Sequence, residues 1–160
     1  MNRLLAACLS PLLVAALLTA ACGSPPPAEP EPPYRGATVE EFQSVLSQNQ
    51  GPLVVAVMTA SCAPCLTELP LVEALRLELP GLKVLGLSLD YSEDNLNHIL
   101  EKTGIGFPVY WTGEAALAPM EIRYLPLLIL YRDGGEVKRL EGLREEDELR
   151  AEFSALLRGS

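Results

Sequence analysis

"GPLVVAVMTASCAPCLTELPLVEALRLEL", residues 51–79, decides the fold. Gly51 and Pro52 mark a turn, and no polar residue interrupts the run from Leu53 to Met58. An unbroken apolar run of this length between turn signals is the pattern of a strand buried on both faces. From Cys65 onward the spacing changes to that of a helix, with Leu66, Leu69, Val72 and Leu75 on one side. Cys62 and Cys65 therefore stand at a strand-to-helix junction, at the N-terminus of the helix. Two thiols so placed are a metal clip, a structural disulfide or a working redox pair, and the cellular compartment helps to choose among them.

The chain opens with "MNRLLAACLSPLLVAALLTAAC", which carries one positive charge at Arg3 followed by Leu, Ala and Val. This pattern predicts a secretory signal over residues 1–22, outside the folded domain. A transmembrane reading competes, because Leu4 to Ala21 approaches the minimum apolar length for a span. Pro11 and the Ala-Ala-Cys ending favour cleavage. That ending resembles the lipobox of bacterial lipoproteins, which implies lipidation of Cys22 and a membrane anchor. Thr19 stands where Leu is usual, which leaves cleavage by ordinary signal peptidase open. In either case the domain is expected to face the outside of the cytoplasmic membrane, where disulfides persist. Residues 23–35 follow as a linker, and six of the ten residues from Ser24 to Pro33 are proline. Such a stretch predicts an extended spacer of about 3 Å per residue, on the order of 30 Å in all, or plain disorder; both make a tether.

Residues 36–160 are then expected to form one domain, large enough to bury a core without staples. The whole chain carries a formal charge of −9, and removing residues 1–22 leaves 11 basic against 21 acidic side chains. A surface this acidic argues against nucleic acid and anionic lipid as partners. Of four cysteines, Cys8 and Cys22 fall in the export segment, so the domain holds Cys62 and Cys65. A structural zinc site wants four nitrogen or sulfur ligands, and the one histidine is His98. A copper site built from Cys62, Cys65 and a methionine remains an alternative. The better reading is a dithiol–disulfide couple with no metal and no cofactor.

The remaining elements alternate. "TVEEFQSVLSQ" (38–48) opens with Thr38 and Glu41 at capping-box spacing and predicts a helix. "LKVLGLSLD" (82–90) is a second apolar strand, which makes a β-α-β unit with a parallel pair. "SEDNLNHILEKTG" (92–104) reads as a helix capped by Ser92 and ended by Gly104, and "FPVYW" as a short edge strand. "LPLLILYRDGGEVKRLEG" (125–142) is a hairpin around Asp-Gly-Gly, and "REEDELRAEFSALLRG" (144–159) a last helix. The fold class is α/β, a central mixed sheet sandwiched between helices.

At this point residues 36–158 resemble the thioredoxin superfamily, and within it the membrane-tethered, extracytoplasmic thiol-disulfide oxidoreductases of the TlpA/ResA type. The resemblance rests on Cys62-Ala63-Pro64-Cys65 after a strand, on Glu68 and Pro70 in "CAPCLTELP", and on "RYLPLLILYRDGG", where Pro126 matches the family's cis-proline. It implies a thioredoxin-like three-layer sandwich and a protein-disulfide reductase acting on exported proteins, as in cytochrome c maturation. Re-reduction would then come from a membrane thiol transporter of the CcdA/DsbD type.

Each matched residue also has a physical reading. Cys62, at the positive end of a helix, is favoured as a thiolate and is the expected attacking sulfur. Cys65, one turn further in, suits the resolving thiol. Ala63 and Pro64 between them bear on the balance of oxidised and reduced forms. Glu68, three residues after Cys65, is expected to shuttle the proton of Cys65 if it is buried, with a solvated helix-surface carboxylate as its alternative. The resemblance implies the same role, since ordinary thioredoxins place an Asp on the preceding strand where Ala56 stands. Leu125 and Pro126, with Pro64, are the expected substrate-binding positions. Pro70 should only shape its helix. Two positions depart from the family: Ser61 replaces the usual Trp before the first cysteine, and Leu125 the usual small residue before the proline. His98 and Trp111 read as surface or packing residues, and Met58 and Met120 as core.

Overall fold

The computed structural model describes residues 34–159. In chain order these form β1 (Tyr34–Gly36), α1 (Val39–Gln48), β2 (Pro52–Met58), α2 (Ala63–Glu78), β3 (Lys83–Ser88), α3 (Glu93–Thr103), β4 (Val109–Trp111), a 3-10 turn (Gly113–Ala116), β5 (Leu127–Arg132), β6 (Gly135–Glu141) and α4 (Glu146–Arg158). The leader, Cys8, Cys22 and the proline-rich stretch lie outside the described residues.

The strands make one mixed sheet in the order β1-β4-β3-β2-β5-β6. β2 pairs parallel with β3, and β5 and β6 add antiparallel on its other side. The apolar run on β2 has the burial its pattern requires, since Leu53 to Met58 are all buried. Val54, Ala56 and Met58 pack into one core with α2, α3 and α4. Leu53, Val55 and Val57 face a second core with α1 and the segment around Met120 and Ile122. Helices thus cover both faces of a sheet whose central strand shows no polar side to water.

Local signals act where expected. Thr38 and Glu41 close the capping box of α1, with Glu41 N–H on Thr38 Oγ1 at 3.2 Å and Thr38 N–H on Glu41 Oε2 at 2.8 Å. Ser92 caps α3 by accepting the Asn95 N–H at 3.3 Å, and Gly104 ends it in the left-handed region at φ 62°. Met58 and Met120 are buried, His98 is exposed, and Trp111 is half-buried. Among the described residues no helix is long and apolar enough to cross a membrane.

Three boundaries differ from expectation. "FPVYW" is not an edge strand, because β1 pairs parallel on its outer side, Tyr34 opposite Val109 and Gly36 opposite Trp111. Tyr34 and Arg35 consequently belong to the sheet and not to the linker. The Tyr34 ring meets Trp111 edge-on at 6.5 Å between centroids, its hydroxyl bonds Glu93, and the Arg35 guanidinium stacks 4.6 Å over Tyr110. Three residues carry no readable period, so only these contacts identify the strand. The last helix begins at Glu146, not at Arg144: Glu145 is its N-cap, with an extended backbone at φ −75° and ψ 155°, and the Arg144 N–H lies before the helix, bonded to a side chain of α2.

The β5–β6 turn places Asp133 and Gly134 at φ 49° and 80°, and the Asp133 carboxylate accepts the Gly51 N–H at 2.7 Å. A Cβ at Gly134 would come within 2.3 Å of the Ser47 carbonyl oxygen, whereas Gly142, at φ 82°, has nothing within 4 Å of that position. Alanine at either site meets the left-handed penalty of about 1–2 kcal/mol. Gly134→Ala adds a backbone clash, and is expected to cost roughly 1–3 kcal/mol more than Gly142→Ala in urea unfolding. Equal losses in the two variants would show that the Ser47 contact relaxes freely.

Candidate active site

β2 ends at Met58, and the chain then makes one turn, closed by the Cys62 N–H on the Thr59 carbonyl at 3.1 Å. Cys62 is the N-cap of α2. Its backbone is extended, its carbonyl starts the helix by accepting the Cys65 N–H at 3.0 Å, and its Sγ also accepts that N–H, at 3.2 Å. Pro64 stands in the first turn, where a missing N–H costs nothing because that group would have no helical partner. The side chain of Pro64 is exposed.

Cys62 and Cys65 form a disulfide with their Cα atoms 5.2 Å apart. The two sulfurs differ in access: Cys65 is 1% exposed, while Cys62 is half-buried. An incoming group from solvent can reach the first cysteine and not the second. Ser61 beside it is exposed and shares a hydrogen bond with Thr59 at 3.0 Å, so a small hydroxyl flanks the accessible sulfur.

One turn beyond Cys65, Glu68 is 2% exposed. Its Oε1 accepts the Arg144 N–H at 3.0 Å. Burial pushes its pKa up from 4.5 to about 7, against the opposing pull of the Arg144 backbone N–H and the Arg144 charge, and with a small push from Glu148. A carboxyl near 7 both takes and gives a proton in neutral solution. The Arg144 guanidinium turns outward, to Glu148 and to the Glu141 carbonyl, each at 3.0 Å. Ala56 is fully buried in the core that holds Cys65, between Gly86 and Leu128 on the neighbouring strands, so the sheet supplies no carboxylate beneath α2 at that position.

The Leu125–Pro126 peptide bond is cis. Pro126 is buried and leads into β5, whose Leu127 pairs with Val57 near the end of β2, so this loop lies at the same end of the sheet as the cysteines. Leu125 is half-buried against both cores. The Pro126 carbonyl accepts the Gly142 N–H at 2.9 Å. Residues 142–144 therefore touch the proline loop with one backbone N–H and Glu68 with another. Pro70 lies in the middle of α2 with an exposed side chain. Among the described residues no three His, Cys, Asp or Glu side chains gather as a metal-holding group.

One residue escaped the sequence reading. Asp90 is 3% exposed just beyond β3, and among the described residues it and Glu68 are the buried carboxylates. Its Oδ1 accepts the Ala60 N–H at 2.9 Å, inside the turn that delivers Cys62. The available signal was an acid closing an apolar strand that the β-α-β pairing puts beside β2.

No family model matches the chain. A thioredoxin of Chlamydia muridarum is 33% identical over 88 residues, covering 55% of this chain and 66% of that one. The chain thus spans about two-thirds of the length of that curated relative. A secreted disulfide oxidoreductase of Mycobacterium tuberculosis, homologous to E. coli DsbE, superposes with a TM-score of 0.62 at 19% identity, over 68% of this chain and 84% of that one. StoA from Bacillus subtilis gives 0.58 at 18% identity, over 66% and 84%. With its mixed sheet, its helical layers and a Cys-x-x-Cys at the head of α2, the chain has a thioredoxin-like fold. At these identities the structural likeness speaks for the fold alone.

The position of Glu68 has a measurable consequence. Its folded-state pKa lies above the unfolded one, so its contribution is most favourable when the carboxyl is protonated, below about 4.5, and is lost as pH rises through about 7. The loss is on the order of 3 kcal/mol for a shift of this size. Urea unfolding of the oxidised domain at about pH 5 and about pH 8 is expected to show Glu68→Gln gaining stability relative to wild type at the higher pH only. A parallel pH dependence in the two proteins would mean that Glu68 is solvated.

Proposed function

We propose that this chain is an extracytoplasmic thiol-disulfide oxidoreductase of the TlpA/ResA type that reduces disulfides of exported proteins. The observation that carries the reading is the pairing of an accessible Cys62 with a hidden Cys65 at the head of α2, one turn from a buried carboxyl whose pKa is about 7.

In the reduced protein the Cys62 thiolate attacks one sulfur of a substrate disulfide. A mixed disulfide forms and the other substrate sulfur leaves as a thiolate. Cys65, out of reach of the substrate, then attacks Cys62 Sγ. Glu68 takes its proton, the Cys62–Cys65 bond forms, and the second substrate sulfur departs. The substrate gains two electrons and the domain loses two. A partner chain is held at the Leu125–Pro126 loop, with Pro64 at the rim. Because Cys62 and Cys65 are the domain's only cysteines, the electrons that restore the dithiol come from outside it, which suits a membrane reductant transporter of the CcdA/DsbD type. Cys22 and the proline-rich segment would tether the domain near that reductant. No cofactor enters this scheme, and cytochrome c precursors are one substrate class that fits it.

The first test is the reduction potential of residues 34–160 in thiol-disulfide buffers. Thioredoxin and the oxidant DsbA differ by about 150 mV, so the range is wide enough to decide. A value at the thioredoxin end supports a reductant, and one near DsbA would make the protein an oxidase. If reduced protein binds Cu(I) tightly and shows no disulfide exchange, the same dithiol handles copper instead. The order of attack is tested with single variants. Cys65→Ser is expected to accumulate a mixed disulfide with a model disulfide substrate, seen by mass spectrometry, whereas Cys62→Ser should trap little. Equal trapping by both variants would remove the assigned roles.

A further inference from the structure

We infer that Asp90 is a positioning residue for Cys62, acting through the turn that carries it; the inference rests on the redox reading above. The ladder between β2 and β3 runs from Leu53 opposite Lys83 to Met58 opposite Ser88, and one further bond joins the Leu89 N–H to the Met58 carbonyl at 3.0 Å. Beyond that point the strands part. The backbone of β2 goes on into Thr59–Cys62, a turn of one hydrogen bond. Ala60 is the first central residue of that turn, and its N–H points back toward β3. The Asp90 carboxylate reaches across the gap and accepts it at 2.9 Å. A side chain thus continues the strand-to-strand linkage where the backbone ladder stops.

Asp90 is itself held through its side chain and its backbone. Its Oδ2 accepts the Ser88 hydroxyl at 2.9 Å, Ser88 Oγ accepts the Asp90 N–H at 3.2 Å, and the Asp90 carbonyl accepts the Trp111 indole N–H at 2.6 Å. Ser88 is fully buried and Asp90 is 3% exposed. A buried carboxylate is costly unless its oxygens are satisfied, and here one of its partners is the active-site turn itself. The placement bears on chemistry because Cys62 Sγ, here in the disulfide, accepts the Cys65 N–H at 3.2 Å; kept in the reduced protein, that contact would favour the thiolate, and it depends on where the turn sets the Cys62 backbone.

The charge of Asp90 and its anchoring role have opposite signatures. A negative charge near the sulfur opposes the thiolate, so if charge dominated, both neutral variants would quicken Cys62. If anchoring dominates, Asp90→Ala frees the turn, while Asp90→Asn keeps an oxygen for Ala60 and offers an amide that Ser88 Oγ can accept. The experiment is alkylation of Cys62 by iodoacetamide in the reduced full-length chain, followed by mass spectrometry across the pH range, beside turnover of a model disulfide. Asp90→Ala is expected to react about tenfold more slowly near neutral pH, with the midpoint of its profile moved up by about one unit, and Asp90→Asn to stay within about twofold of wild type. Should Asp90→Ala fail to fold, Ser88→Ala, which removes one donor and leaves the Ala60 bond, is expected to lie between wild type and the loosened state. Unchanged alkylation in Asp90→Ala and Ser88→Ala, or Asn and Ala variants that move together, would overturn the inference. A wild type that alkylates normally yet turns over no disulfide would instead count against the redox function and leave the role of Asp90 at Cys62 standing on its own readout.

Discussion

The rest of the structure depends on where the parallel pairing of β2 and β3 stops. While the ladder runs, β2 is paired with β3 on one side and with β5 on the other, and its side chains fill two cores. When it stops, after Met58, the chain must reverse its local geometry within four residues to begin α2. Cys62 is the residue at which that happens. Its place at the helix N-terminus, its extended backbone and the contact of its sulfur with the Cys65 N–H all follow from the length of one strand.

The chemistry of the site is one of graded access. Cys62 meets solvent, Cys65 does not, and Glu68 lies one turn deeper along α2, in surroundings that hold its proton loosely at neutral pH. Thiol exchange needs this order, because the second sulfur must attack only after the first has been captured. In the mechanism proposed above, an apolar Ala56 on the central strand leaves the proton traffic of Cys65 to Glu68, on the helix that carries the cysteine.

Much of this was legible in the residues themselves. The uninterrupted run 53–58, the capping box at Thr38 and Glu41, and the Asp-Gly-Gly turn each impose their structure through local physics, and each element formed where its pattern lay. The cysteine pair followed from its position between a strand period and a helix period. Less legible was whatever depends on a backbone donor. Arg144 holds Glu68 with its N–H, and Ala60 holds Asp90 with its N–H, and no residue type advertises such a bond. β1 escaped for another reason, since three residues show no period and are identified only by what Tyr34 and Arg35 touch.

The bond between Glu68 and the Arg144 backbone also bears on how freely the protein can drift in sequence. Because the donor is a main-chain group, position 144 can exchange its side chain without removing the hydrogen bond, and proline alone is barred there on chemical grounds. The same holds at position 60 for the bond to Asp90. In relatives of this chain the two acids can therefore stay fixed while the residues that anchor them vary, so that the partners of the most constrained side chains would look like ordinary loop positions in an alignment.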